Sequence, residues 1–216
     1  YIAVHAYEDI IATDTLKSIN QAAKNHDVNL IHISGGRFFN EQGGYAVSTE
    51  IHKKFMSDRN LINKYNFDGL IFWGPTLNCF LPPDEIVSLI KSFKEMPIIN
   101  IGSVIEEIPS VLIDNHSGLE MVLNHLIEYH GFTKIAFIPG DSTHTYSKLR
   151  LKAYCNVLKK YKIPLNPDLI TPAYGWFPNH GRKAGKYLFD EKKLMPQKDI
   201  EAIASASDNI IVGLMD

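Results

Sequence analysis

The chain has 216 residues, 45% hydrophobic and 21% charged, with a formal net charge of −2. That is the composition of a globular protein large enough for one or two cores, and it excludes a disordered chain and a nucleic-acid-binding segment, which needs clustered Lys and Arg to displace phosphate counterions. No run approaches the roughly 18 apolar residues of a membrane helix, and two distant cysteines, Cys79 and Cys155, make no disulfide framework, so a reducing, cytoplasmic setting is expected.

In chain order, an apolar strand is predicted over 1–6, then a helix carrying Leu16, Ile19 and Ala23 on one face, a strand over 28–33 and a helix over 47–65. A strand over 69–73 precedes a helix that opens at Pro83 and runs through Ile86, Leu89, Ile90 and Phe93. Strands over 97–101 and 110–113 follow. A helix through Leu119, Val122, Leu123, Leu126 and Ile127 is expected to be capped by Asn115 and stopped at Gly131. A strand over 134–138, helices over 147–161 and 179–190, a strand over 201–206 and a last helix N-capped by Asp208 complete the chain. Because the chain opens inside a strand and closes inside a strand-to-helix unit, it is expected to be a piece of a longer protein.

Strict alternation of strands and helices argues for α/β architecture, parallel sheets covered by helices on both faces. The link 102–109 between two adjacent strands is too short for a crossover helix, since parallel neighbours ordinarily need about a dozen connecting residues. The chain is therefore expected to pass from one sheet to a second there, giving an N-terminal lobe over 1–101, a crossover over 102–109 and a second lobe over 110–216.

The residues at this crossover, in order, are Asp68-Gly69-Leu70-Ile71, Met96-Pro97-Ile98-Ile99-Asn100-Ile101, Pro109-Ser110-Val111-Leu112-Ile113-Asp114-Asn115-His116-Ser117-Gly118, and His125 through Gly140. With Arg150, Tyr154 and the run from Ala206 to Gly213, they resemble the sensor domain of LacI/GalR regulators, a type I periplasmic-binding-protein-like fold. The resemblance covers essentially the whole chain and implies two doubly wound parallel-sheet lobes, the second C-terminally incomplete because the family's final segment is absent from the sequence. The Ser34-Gly35-Gly36-Arg37-Phe38-Phe39-Asn40 turn, the Ile108-Pro109-Ser110-Val111 stretch and His144 ahead of Arg150 look like the branch fused to diguanylate cyclase or histidine kinase modules.

In open parallel sheets, ligands bind beyond the carboxyl ends of the strands. Those ends bring Tyr7 and Asp9, Trp73, Ser103, and Asp208 to candidate positions, together with His144 and Trp176. Aromatic faces cover the apolar side of a sugar or nucleoside, and charged groups fix its hydroxyls through paired hydrogen bonds. The resemblance implies that Arg150 reaches ligand hydroxyls or carboxylates and that Asp208 contacts the ligand. It further implies a small polar metabolite, a sugar above all, closing two lobes and shifting their population toward the closed state. A homodimer and a fused output domain, DNA-binding, cyclase or kinase, are implied partners, with no direct nucleic-acid or membrane contact from this segment.

No Gly-rich dinucleotide fingerprint, phosphate-binding loop or Gly-x-Ser-x-Gly elbow occurs, so no catalytic residue or cofactor is expected. His116, His125 and His130 follow no His-Glu-x-x-His spacing, and no metal site is expected either. The alternatives are an enzyme on the same scaffold, or a ligand-free dimerisation module using an apolar face around Leu16, Ile19 and Ala23 or around Phe55.

Overall fold

The structure, a computed structural model, describes residues 2–3, 10–34, 67–73, 83–93, 96–142 and 144–216. Tyr7, Asp9, the 35–40 turn, the helix expected over 47–65, and Cys79 lie outside the described residues. Two compact units divide the chain, Tyr1–Ile113 and Asp114–Asp216.

In the first unit, the described strands are β1 (Ile2–Ala3), β2 (Ile33–Ser34), β3 (Leu70–Trp73), β4 (Ile98–Ile101) and β5 (Ser110–Val111), and the described helices are α1 (Ile10–Asn25) and α2 (Pro83–Lys91). The sheet has the order β2-β1-β3-β4-β5 with every pairing parallel. Leu70, Phe72 and Trp73 of β3 are buried, as expected of a central strand with helices over it. The strand expected over 28–33 shrinks to β2. Asp27 takes φ 52° and the Val28 amide donates back to the Ala23 carbonyl at 2.8 Å, a helix-terminating turn that spends the first residues of the run on ending α1.

The expectation that the chain leaves this sheet over 102–109 is corrected by β5. Ser110 pairs with Asn100 and Val111 with Ile101, in parallel, within the same sheet as β4. The dozen-residue rule applies to a connection that retraces a whole strand. Here the first residue of β5 lies beside the third of β4, so the loop has only about two residues of strand, roughly 7 Å, to recover. It turns through Gly102 at φ 89° and Glu107 at φ 67°, with Ile105 and Ile108 bridged to one another. The 110–113 run therefore belongs to the first unit, and the division falls after Ile113.

The second unit is built on β6 (Ile135–Ile138) and β7 (Ala202–Ser205), parallel and in register from Ile135↔Ala202 to Ile138↔Ser205. Its helices are α3 (Ser117–Glu128), α4 (Thr145–Lys160), α5 (Pro178–Gly185), continued as a π-helical turn over Lys186–Glu191, and α6 (Asp208–Met215). All four β6 side chains are buried, and they sort by strand period. Ile135 and Phe137 pack with Leu123 of α3 and Tyr154, Val157 and Leu158 of α4. Ala136 meets Leu188 of the π turn, and Ile138 meets Ala184 of α5 and Ile210 of α6. A strand apolar at every position is thus covered on both faces.

The cap of α3 also departs from expectation. The Asp114 carboxylate accepts from the amides of His116 and Ser117 at 3.1 and 3.0 Å, which holds its carboxyl below the ordinary range. Asn115 is left to turn inward. Gly131 does end α3, at φ 71°.

Within the core, the Tyr154 hydroxyl donates to the Ile135 carbonyl at 2.8 Å while its ring stacks on Phe137 at 4.9 Å. Tyr154→Phe keeps the ring and removes the donor, so the second unit is expected to lose about 1–2 kcal/mol. Urea unfolding followed by Trp176 fluorescence in a Trp73→Phe background reads that loss, since the chain has two tryptophans.

Candidate functional site

The polar residues of the second unit collect at the carboxyl ends of β6 and β7. Arg150 reaches across from the second turn of α4: its Nε donates to Asn115 Oδ1 at 2.9 Å, and its Nη1 donates to the Ala206 carbonyl just beyond β7. The guanidinium is half-buried, and burial pushes its pKa down while Tyr146 and Asp208 act in the opposite direction. Its Cζ lies 5.8 Å from the centroid of the Tyr146 ring, one helical turn earlier. Among the described residues, no carboxylate comes within ion-pair distance of it.

Asn115 is 7% exposed, so its amide is fixed by the fold and positions the guanidinium. The sequence predicts a capping role for it; the N-cap position is held by His116, and the Asp114 carboxylate satisfies the amides of His116 and Ser117. Three elements therefore meet at one cation, namely the start of α3, the start of α4 and the end of β7.

His144 is the N-cap of α4, its Nδ1 accepting from the Tyr146 amide at 3.2 Å. Its ring meets Trp176 edge-on at 5.1 Å. Burial above all, with Arg150 adding to it and Asp141 opposing, lowers its pKa to about 4. His144 is thus neutral, with Nδ1 as the acceptor and the ring proton on Nε2, which remains a donor.

Trp176 lies against Gly140, where a Cβ would run into the indole six-membered ring; the strand-end glycine makes room for the aromatic. Its Nε1 is buried with no hydrogen-bond partner among the described residues, the kind of orphan donor that carries a cost of about 1–3 kcal/mol until an acceptor arrives.

Asp208 is exposed and is the first residue of α6, with Ser207 in the N-cap position. The expectation that Asp208 caps this helix is corrected accordingly: it adds a favourable charge to the first turn and faces solvent near Arg150. The structure therefore brings His144, Arg150 and Trp176 together, with Asp208 at their edge.

The two first-unit candidates among the described residues, Trp73 and Ser103, have structural roles. Trp73 is 8% exposed and packs with Leu16, Ile19, Leu30, Ile71 and Ile101, a core residue rather than an open stacking platform. Ser103 receives the side-chain amide of fully buried Asn100 through its carbonyl and through its hydroxyl, the latter at 3.0 Å. Two residues of the site were missed from the sequence. Tyr146 was legible as the i−4 neighbour of Arg150, whereas inward-facing Asn115 had no sequence signal distinguishing it from a cap.

His144 makes stability pH-dependent. Its pKa falls from about 6.5 unfolded to about 4 folded, so its contribution is complete above the unfolded value, declines as pH drops through this window and is gone below the folded one. Comparing the protein with His144→Asn, which keeps a capping side chain but does not titrate, the parent is expected to lose roughly 1–2 kcal/mol more between pH 7.5 and pH 5. Melting curves at the two pH values measure the difference.

Parallel strands covered on both faces, with polar groups and helix starts gathered at their carboxyl ends, define a doubly wound α/β fold. Solved structures agree: the fold is that of LacI-family transcriptional regulators. A LacI-family regulator from Mycobacterium smegmatis matches with TM-score 0.73 and 20% identity over 99% of this chain and 70% of its own. A sugar-binding LacI-family regulator from Escherichia coli complexed with phosphate matches with TM-score 0.73 and 21% identity, over 99% and 69%. The Cra regulator from Pseudomonas putida in complex with fructose 1-phosphate matches with TM-score 0.71 and 17% identity, over 100% and 71%. No protein-family model matches the sequence, and no curated protein matches it.

Proposed function

We propose that this chain is the small-molecule sensing part of a transcription-regulatory or signalling protein, and that its second unit holds a polar metabolite, a sugar or sugar derivative, at the carboxyl ends of β6 and β7. The observation that carries this reading is Arg150. A half-buried guanidinium ordinarily ion-pairs with a carboxylate, yet Arg150, with Asp208 near but outside ion-pair distance, spends one N–H on a neutral amide and another on a carbonyl. Its remaining N–H groups suit a pair of vicinal hydroxyls, a carboxylate or a phosphate.

Trp176 supplies an aromatic edge and an unused Nε1 donor, and Asp208 supplies an acceptor for hydroxyls. Phosphate and fructose 1-phosphate in the neighbours named above support the same class of ligand. Binding, with no bond made or broken, is the whole of the chemistry assigned here. No described helix is long and apolar enough to cross a membrane, and the reading gives the chain a cytoplasmic setting, a homodimeric parent and an output domain that responds to ligand.

A thermal-shift screen of monosaccharides, sugar phosphates, nucleosides and amino acids tests the reading. A ligand present at 100 times its dissociation constant should stabilise the unit that binds it by about 2.7 kcal/mol. Stabilisation by at least one polar metabolite is the expected outcome; a flat response across the panel contradicts it.

A further inference from the structure

At the other end of the second unit, α3 finishes in a cluster of rings that the sensing role does not use. His125 lies in the last turn of α3 and His130 in the turn after it, just before the chain reverses at Gly131 with φ 71°. Their Nε2 atoms are 3.2 Å apart. Both rings are held in place: Tyr129 stacks on His125 with centroids 5.2 Å apart and planes 11° apart, and Phe132 stacks on His130 at 5.2 Å and 14°. Both histidines are exposed.

We propose that His125 and His130 form a two-imidazole site for a divalent transition-metal ion of the copper, nickel or zinc class, with water completing the coordination. With metal–nitrogen bonds of about 2.0–2.1 Å, two neighbouring ligands stand about 2.9–3.4 Å apart between right-angled and tetrahedral geometry. The observed separation lies inside that range. The contact without metal is a hydrogen bond from one ring to the other; binding needs both rings as the Nδ1–H tautomer, so its cost is that one hydrogen bond and a small rotation of each ring. The two stacked neighbours limit the rotamer freedom that chelation would otherwise have to remove.

No group of three or more ligating side chains occurs among the described residues, so the protein supplies two ligands and solvent the rest. Imidazole nitrogen selects against magnesium and calcium, which take oxygen, and the order of divalent affinities puts copper first, with nickel and zinc behind. Bound metal would clip the end of α3 to the turn that leads into β6.

The test uses the full 216-residue chain at pH 7.5, titrated calorimetrically with nickel chloride and with magnesium chloride, alongside His125→Ala, His130→Ala and His116→Ala. One nickel ion per chain is expected, with no magnesium uptake, at least about tenfold weaker binding in each of the first two variants and no change in His116→Ala. Nickel affinity unchanged by either His125→Ala or His130→Ala overturns the proposal. Paramagnetic resonance of the unsubstituted protein with one equivalent of copper gives a readout independent of whether the variants fold. Hyperfine splitting from two nitrogens is expected, and splitting from a single nitrogen overturns the site.

Discussion

Gly213→Ala is expected to destabilise the second unit by about 3 kcal/mol or more. Gly213 of α6 faces the first residue of α5, where a Cβ would sit well inside contact distance of the Pro178 carbonyl. The partner position is equally tight: a Cβ on Gly181 would strike the Ile210 carbonyl. A flexible side chain could swing away, but a backbone carbonyl moves only with its helix, so the strain is at the upper end of the usual 1–3 kcal/mol for overpacking or above it. Separating the helices would also uncover Ile210 and Ala184, both fully buried against Ile138. Urea unfolding with Trp176 fluorescence in the Trp73→Phe background measures the effect. A shift under about 1 kcal/mol would mean that α5 and α6 are not in backbone contact.

Arg150→Ala is expected to weaken metabolite binding by about 1.5–3 kcal/mol, roughly ten- to hundredfold, the usual worth of a charge-assisted hydrogen bond. Seen from the sequence, Arg150 is a residue whose loss should leave the unliganded protein intact. The structure adds a stability cost. The variant removes the hydrogen bonds from Arg150 to Asn115 Oδ1 and to the Ala206 carbonyl at the end of β7, while removing a partly desolvated cation gives some of that back. A net loss of about 1 kcal/mol in the unliganded form is the expected balance. Arg150→Lys restores the charge without the planar fork and is expected to recover stability less completely than charge alone would suggest. Melting curves of the unliganded variants read the stability component, so that the binding component can be compared at a temperature where all are folded.

Much of the frame was legible because it rests on local pattern. The apolar run of β6 and the 3.6-residue spacing of α3 are set by burial on known faces, and Pro83 and Gly131 act through backbone geometry that their neighbours do not change. The features that escaped depend on partners distant in sequence. Whether 102–109 crosses between sheets or returns to the same one turns on the stagger of β5 against β4, which periodicity does not encode. Asp114 and Asn115 are adjacent and chemically alike as caps; only the packing of Arg150, 35 residues on, assigns one to the helix and the other to the site. Trp73 and Trp176 have the same side chain after or near a strand. The first is enclosed by α1 and its sheet, and the second is left with an unused donor beside His144.

Calorimetric titration of the metabolite selected by the thermal-shift screen into the unsubstituted protein and Arg150→Ala, with both folded at the working temperature, addresses the sensing role most directly. Saturable binding to the unsubstituted chain and a roughly ten- to hundredfold weaker dissociation constant in Arg150→Ala is the predicted result. Equal affinity in the two proteins, or turnover of the metabolite in place of reversible binding, would contradict it.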